Sequence, residues 1–150
     1  MQDISPHTTS ARKPERFLAV IGTAICLIVS ALIWQVFSRQ QPMWPLPDLY
    51  LLEMLAASFL GTWAVWNNDS KQSPLRGILI WAMVGVLFAF VIIGSFSIGF
   101  FFMPVAGLFA IAAILSGRRQ AHNMIVHIGV GLAAALAQAA LMLAAIRFLY

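Results

Sequence analysis

Charge is what this sequence has least of. Only 9% of its residues are Asp, Glu, Lys or Arg, against roughly 25% in soluble globular domains. From Gly77 to Gly117 there is no charge at all. Cysteine is almost missing too. Cys26 stands alone in an apolar run, which excludes an internal disulfide and any CxxC redox or zinc motif. It reads as a small buried hydrophobe. Catalytic signatures are also absent: no GxSxG, no GxxxxGK[ST], no HExxH. The two halves of the chain show no repeat. No apolar segment is broken at its middle by paired polar groups, as transporter sites often are. With 150 residues there is room for one domain and none for a soluble catalytic unit beside the apolar segments. No cofactor, metal site or nucleic-acid partner is expected.

What fills the chain is apolar: 61% of it is hydrophobic. Residues Gly77–Gly117 are the governing stretch. As one straight helix these 41 residues would run roughly 60 Å at 1.5 Å per residue. The hydrocarbon core of a bilayer is only about 30 Å thick, and tilt cannot absorb a factor of two. The stretch must fold back once. Gly94-Ser95-Phe96-Ser97-Ile98-Gly99 is the place for the turn, and Pro104 just beyond it suits the first turn of a new helix. Two spans follow, about 76–94 and 100–116. The second is near the lower limit of about 17 residues, which leaves a re-entrant loop as the competing reading.

The remaining spans come from the flanks. Met1–Pro14 is polar and without apolar periodicity, and reads as a disordered tail. Residues 15–150 form one transmembrane domain. Arg12, Lys13 and Arg16 precede an apolar run, Phe17–Phe37. A secretory signal also opens this way, with Val29-Ser30-Ala31 as a weak cleavage site. The run is too long for a usual signal core, so an uncleaved span is the reading. Pro42, Pro45 and Pro47 bar a helix between Ser38 and Pro47. The next span covers about 48–66, with Asp48 as its cap. Trp44, Tyr50, Trp63 and Trp66 are placed as interfacial anchors, while Trp81 reads as either anchor or core. The last span is about 124–149. The predicted fold is an all-α polytopic bundle of five spans.

Basic residues test the number of crossings, since cytoplasmic flanks carry the excess. Five spans with the N-terminus inside put Arg12, Lys13, Arg16, Lys71, Arg76, Arg118 and Arg119 inside, seven residues, against Arg39 and Arg147 outside. Merging 77–117 into one span changes the split to six against three. Five crossings leave the C-terminus outside. The net charge of +4 thus belongs to topology and anionic lipid, not nucleic acid.

Small residues recur every four positions on the first span (Gly22, Cys26, Ser30) and the last (Gly131, Ala135, Ala139). Such stripes let backbones approach in lipid, so both spans are expected to face protein. Phe100-Phe101-Phe102-Met103 is expected to face the bilayer rather than to line a cofactor pocket.

Polar side chains at membrane depth are the candidate sites. Glu53 is the sharpest, about five residues into the second span and roughly 8 Å deep. It is either a cation or proton site, or a structural carboxylate met by Gln35 or Arg147 near the same boundary. His127 and Gln138 are eleven residues apart, three turns, on one face of the last span. They line a path or bond across helices. His127 and Glu53 fall in opposite leaflets and cannot form an acid–base pair. His122 and His127 have poor spacing for a metal.

These features point to a non-catalytic protein of the cell membrane, in the manner of a bacterial inner-membrane protein. Its partners would be the bilayer and a membrane protein, or further copies of itself. The expected role is an accessory, assembly or scaffolding subunit, or a self-associating protein. The alternative is a small transporter or channel formed by oligomerisation, with Glu53 in the pathway.

Overall fold

In the computed structural model the described residues are 13–38, 46–67, 74–94, 98–120 and 124–149. They form five α-helices: α1, Lys13–Phe37; α2, Leu46–Trp66; α3, Pro74–Ile93; α4, Met103–Gln120; and α5, Met124–Leu149. A 3-10 turn, Gly99–Phe102, leads into α4. Each helix, α4 together with its lead-in, supplies 19 to 25 residues apolar enough to cross a membrane. At 1.5 Å per residue that is roughly 28 Å or more, the thickness of the hydrocarbon core. The fourth span, Gly99–Arg118, holds 20 residues, so it has the length to cross.

Two boundaries differ from the sequence reading, for one reason. α1 begins at Lys13 and takes Pro14 into its first turn. α2 begins at Leu46 and takes in Pro47, which therefore does not bar the helix, and Asp48 lies inside the first turn instead of capping it. Pro74 and Pro104 likewise open α3 and α4. First-turn N–H groups have no intrahelical acceptor, so proline loses nothing there. The N-terminal tail up to residue 12, Arg39, Pro42, Trp44, Pro45, Lys71, Ser95–Ser97 and His122 lie outside the described residues.

α1 to α4 close into a four-helix ring in which α1 touches α2 and α4, and α3 touches α2 and α4. Phe109 of α4 is the wedge at its centre. It is fully buried. Its ring lies 3.0 Å from where a Cβ on Gly22 of α1 would be, and 2.9 Å from the same point on Gly61 of α2. Two glycines thus make the notch that one aromatic ring fills, and the Gly22 stripe does face protein. Phe90, Phe102, Met54 and Leu87 extend this core.

The turn between α3 and α4 falls where Gly94 and Gly99 allow it. The Gly99 N–H donates to Gly94 O at 2.6 Å, and a Cβ on Gly99 would sit 2.5 Å from the Gly94 carbonyl carbon. Of the following run, Phe100, Phe101 and Met103 are exposed and Phe102 is buried.

α5 stands outside the ring. It packs along α3, touches α4 slightly, and among the described residues stays more than 8 Å from α2 in Cα separation. The α3–α5 contact is backbone on backbone. A Cβ on Gly85 would meet Gly131 O at 1.9 Å, and one on Gly131 would meet Trp81 O at 3.1 Å. Trp81 is half-buried and packs against the core. Only 6% of the apolar window of α5 is buried. Its other sides, including Leu132, Leu136 and Leu143, are exposed apolar surface.

Neighbouring ring helices run in opposite directions, and α5 runs parallel to α3. One end of the bundle therefore carries Glu15, Arg16, Arg76 and Arg118, and the other carries Asp48 and Arg147. At the basic end Arg16 Nη2 donates to Trp66 O at 3.0 Å and its guanidinium lies 5.2 Å from the Trp66 ring centre. Arg76 donates to Asn67 O. Both cations answer the exposed carbonyls and negative dipole end of α2.

Candidate functional site

A cleft of about 300 Å³ opens where α5 leaves the ring, between α2, α3 and α5. Its walls are Leu49, Tyr50 and Glu53 of α2, Phe90 of α3, and Gln138, Leu141, Met142, Ala145 and Ile146 of α5. Apart from Glu53, none of these side chains is charged. Tyr50 and Glu53, three residues apart, share a face of α2. Gln138, Leu141, Met142 and Ala145 share a face of α5 for the same reason.

Gln138 Nε2 donates to Glu53 Oε2 at 3.0 Å. This bond bridges the gap between α2 and α5, whose backbones do not approach. It corrects the expectation of a Glu53 contact to Arg147 or Gln35. Arg147 is nine residues from Gln138, about two and a half turns, so it projects from the opposite side of α5 and is exposed. Gln35 sits among the exposed residues Trp34 and Val36 at the end of α1, off the Gly22–Cys26–Ser30 stripe that meets protein. His127 is half-buried, three turns below Gln138 on α5 and outside the cleft lining. Of the five polar candidates, the cleft thus collects Glu53 and Gln138.

Tyr50 is half-buried and lines the cleft. Its hydroxyl donates to Phe90 O at 3.0 Å. Its ring meets Phe90 edge-on, 4.8 Å between centres at 85°, and Phe102 at 6.3 Å. Gly94 leaves room for that hydroxyl, which would lie 2.6 Å from a Cβ there. The α3–α4 turn therefore fixes the ring beside Glu53.

A second polar cluster lies between α1 and α2 and has a structural character. Thr23 and Thr62 hydroxyls are 2.6 Å apart. Thr23 also donates to Ser58 O at 3.2 Å, and Thr62 to Ala19 O at 3.1 Å. Two hydroxyl protons serve three contacts, so the pair shares its bonds. One turn further along, Cys26 Sγ meets Met54 O at 3.7 Å and is fully buried. These groups are paired with each other and with backbone, as polar groups inside lipid must be.

The described residues hold no group of three or more His, Cys, Asp or Glu able to bind a metal. The cleft offers one carboxylate, one amide and one fixed aromatic ring in an apolar wall. That set can bind and orient. It has no nucleophile with a base beside it. No protein family, curated protein or solved structure matches this chain.

Proposed function

We propose that the chain is a non-catalytic accessory protein of the cell membrane that works by binding, and that the cleft between α2 and α5 is its recognition element. One observation carries this: α5 is fastened to α3 along a narrow small-residue face, and the gap it leaves to α2 is spanned by the Glu53–Gln138 bond. A helix serving the fold alone would close against α2. This one leaves a lined recess that holds the intramembrane carboxylate. An ionisable residue at that depth is a functional-site hypothesis by default. The collection of Arg16, Arg76 and Arg118 at one end supports an N-terminus in the cytoplasm and a C-terminus outside. On that orientation the cleft opens in the outer half of the bilayer.

The test is site-specific photocrosslinking in native membranes, with a photoreactive residue at Leu141 in the cleft wall or at Leu27 on the outer face of α1. Both are exposed, 64% and 42%. Leu141 should give a discrete adduct and Leu27 a diffuse lipid background. Identical patterns at the two positions would remove the cleft as a recognition element. A transport pathway in an oligomer is the second reading. It is favoured by the carboxylate at membrane depth, and predicts that Glu53→Gln abolishes flux at unchanged abundance.

A further inference from the structure

We infer that the cleft takes a lipophilic organic cation, a small ammonium compound with an apolar body. This rests on the binding reading above and names its ligand class. The size is right: about 300 Å³ is the small end of the range of pockets for organic ligands, about 300–1,000 Å³.

Charge selects the sign. Glu53 is the charged group of the lining. Among the described residues its hydrogen-bond partner is Gln138, through Oε2. An amide satisfies a lone pair but brings no counter-charge. Ionisable groups at this depth are found paired with a group of opposite charge or with backbone carbonyls. An anionic ligand would meet Glu53 with no basic side chain in the lining.

The rest of the wall selects the kind of cation. A hard inorganic ion takes six or more oxygen ligands, and the side chains of the lining offer about four: two from Glu53, one from Gln138 and one from Tyr50. Leu49, Leu141, Met142 and Ile146 suit an apolar body instead. The Tyr50 ring, held rigid beside Glu53 by Phe90 and Phe102, adds the aromatic surface that ammonium groups favour. A zwitterionic phospholipid headgroup fits poorly, since its phosphate would enter the same uncompensated negative site. The ligand is therefore a free amphiphilic ammonium compound.

The experiment compares two photoreactive probes on the purified full-length chain in a maltoside detergent. One is a diazirine-bearing hexyl chain ending in trimethylammonium. The other is the same chain ending in tert-butyl, equal in shape and neutral. Labelled residues are located by mass spectrometry. The cation should label Leu141 and Met142 at least tenfold more efficiently than the neutral probe. Glu53→Gln should remove that preference, and Glu53→Asp should keep part of it. Gln138→Ala frees the carboxylate from its internal donor and should hold or raise cation labelling. Equal labelling of the cleft by both probes, unchanged in Glu53→Gln, overturns the cation and leaves the binding reading standing. No cleft labelling by either probe, in wild type and in Gln138→Ala alike, overturns both. Should Glu53→Gln lower thermal stability, Gln138→Ala decides: a purely structural bond predicts that it lowers stability and labelling together, and that result also overturns the proposal.

Discussion

Gly85→Ala tests how α5 is attached. The added methyl would stand 1.9 Å from Gly131 O, where ordinary contact begins near 3.4 Å. The obstacle is backbone, so no rotamer change relieves it, and α3 and α5 must part by about 1.5 Å. Overpacking of this kind costs about 1–3 kcal/mol. The helix-propensity gain of Ala over Gly, up to about 1 kcal/mol, offsets some of it. The Glu53–Gln138 bond lies seven residues, about two turns, above Gly131 on α5. At 3.0 Å it has little slack, so the separation should break it as well and add about 0.6 kcal/mol. A net loss of about 1–3 kcal/mol is expected in reversible unfolding, with a longer spin-label distance between Leu27 on α1 and Leu136 on α5. Gly129→Ala is the control. Nothing lies within 4 Å of a Cβ there, so it should be neutral or slightly stabilising. If Gly85→Ala proves as mild as Gly129→Ala, the helices do not cross at Gly85 and the cleft loses its hinge point.

Other perturbations read the ring and the topology. Phe109→Ala empties the notch between Gly22 and Gly61 and should cost about 3–5 kcal/mol, measured by the same unfolding assay; a cost under 1 kcal/mol would mean that another side chain fills the notch. Thr23→Val and Thr62→Val in a double-mutant cycle should show coupling of about 0.6 kcal/mol, and strict additivity would mean that the 2.6 Å contact adds nothing. Cys26, fully buried, should resist maleimide in the folded protein and react once the chain is unfolded in strong detergent. Reporters fused to the two termini should appear on opposite sides of the membrane, the N-terminal one in the cytoplasm; both in one compartment would contradict an odd number of crossings.

The five spans were legible because length and hydropathy act on single helices. A charge-free run of 41 residues is longer than the bilayer is thick, whatever it packs against. The turn at Gly94–Gly99 was legible for a local reason, since two backbones touch there and only glycine permits it. The start of α2 was not. Proline reads as a helix breaker in the sequence, and a proline in the first turn carries no such cost. The centre of the ring was half visible. The Gly22 stripe announced a close contact, but the wedge that meets it comes from α4, and nothing in the spacing of Gly22 or Gly61 names Phe109. Likewise the small residues of α5 are readable as a packing face, while nothing in the long apolar run of α3 singles out Gly85 as their counterpart.

The pairing of Glu53 is not legible in depths counted from helix ends. α2 has 21 residues and α5 has 26. Counted from its C-terminal end, Gln138 falls too deep to meet a carboxylate near the start of α2, and Arg147 falls at the matching level. The rotation of α5 decides otherwise. Once Gly131 is fixed against Gly85, every residue of α5 has its direction set. Gln138, seven residues on, returns to nearly the same face, and Arg147, sixteen residues on, points well away from it. The close glycine crossing therefore does two things with one contact. It lets α5 approach α3, and it selects which polar side chain of α5 faces α2. Glu53 therefore meets an amide instead of a guanidinium, and the lining of the cleft brings it no basic side chain; the proposed cation rests on that arrangement.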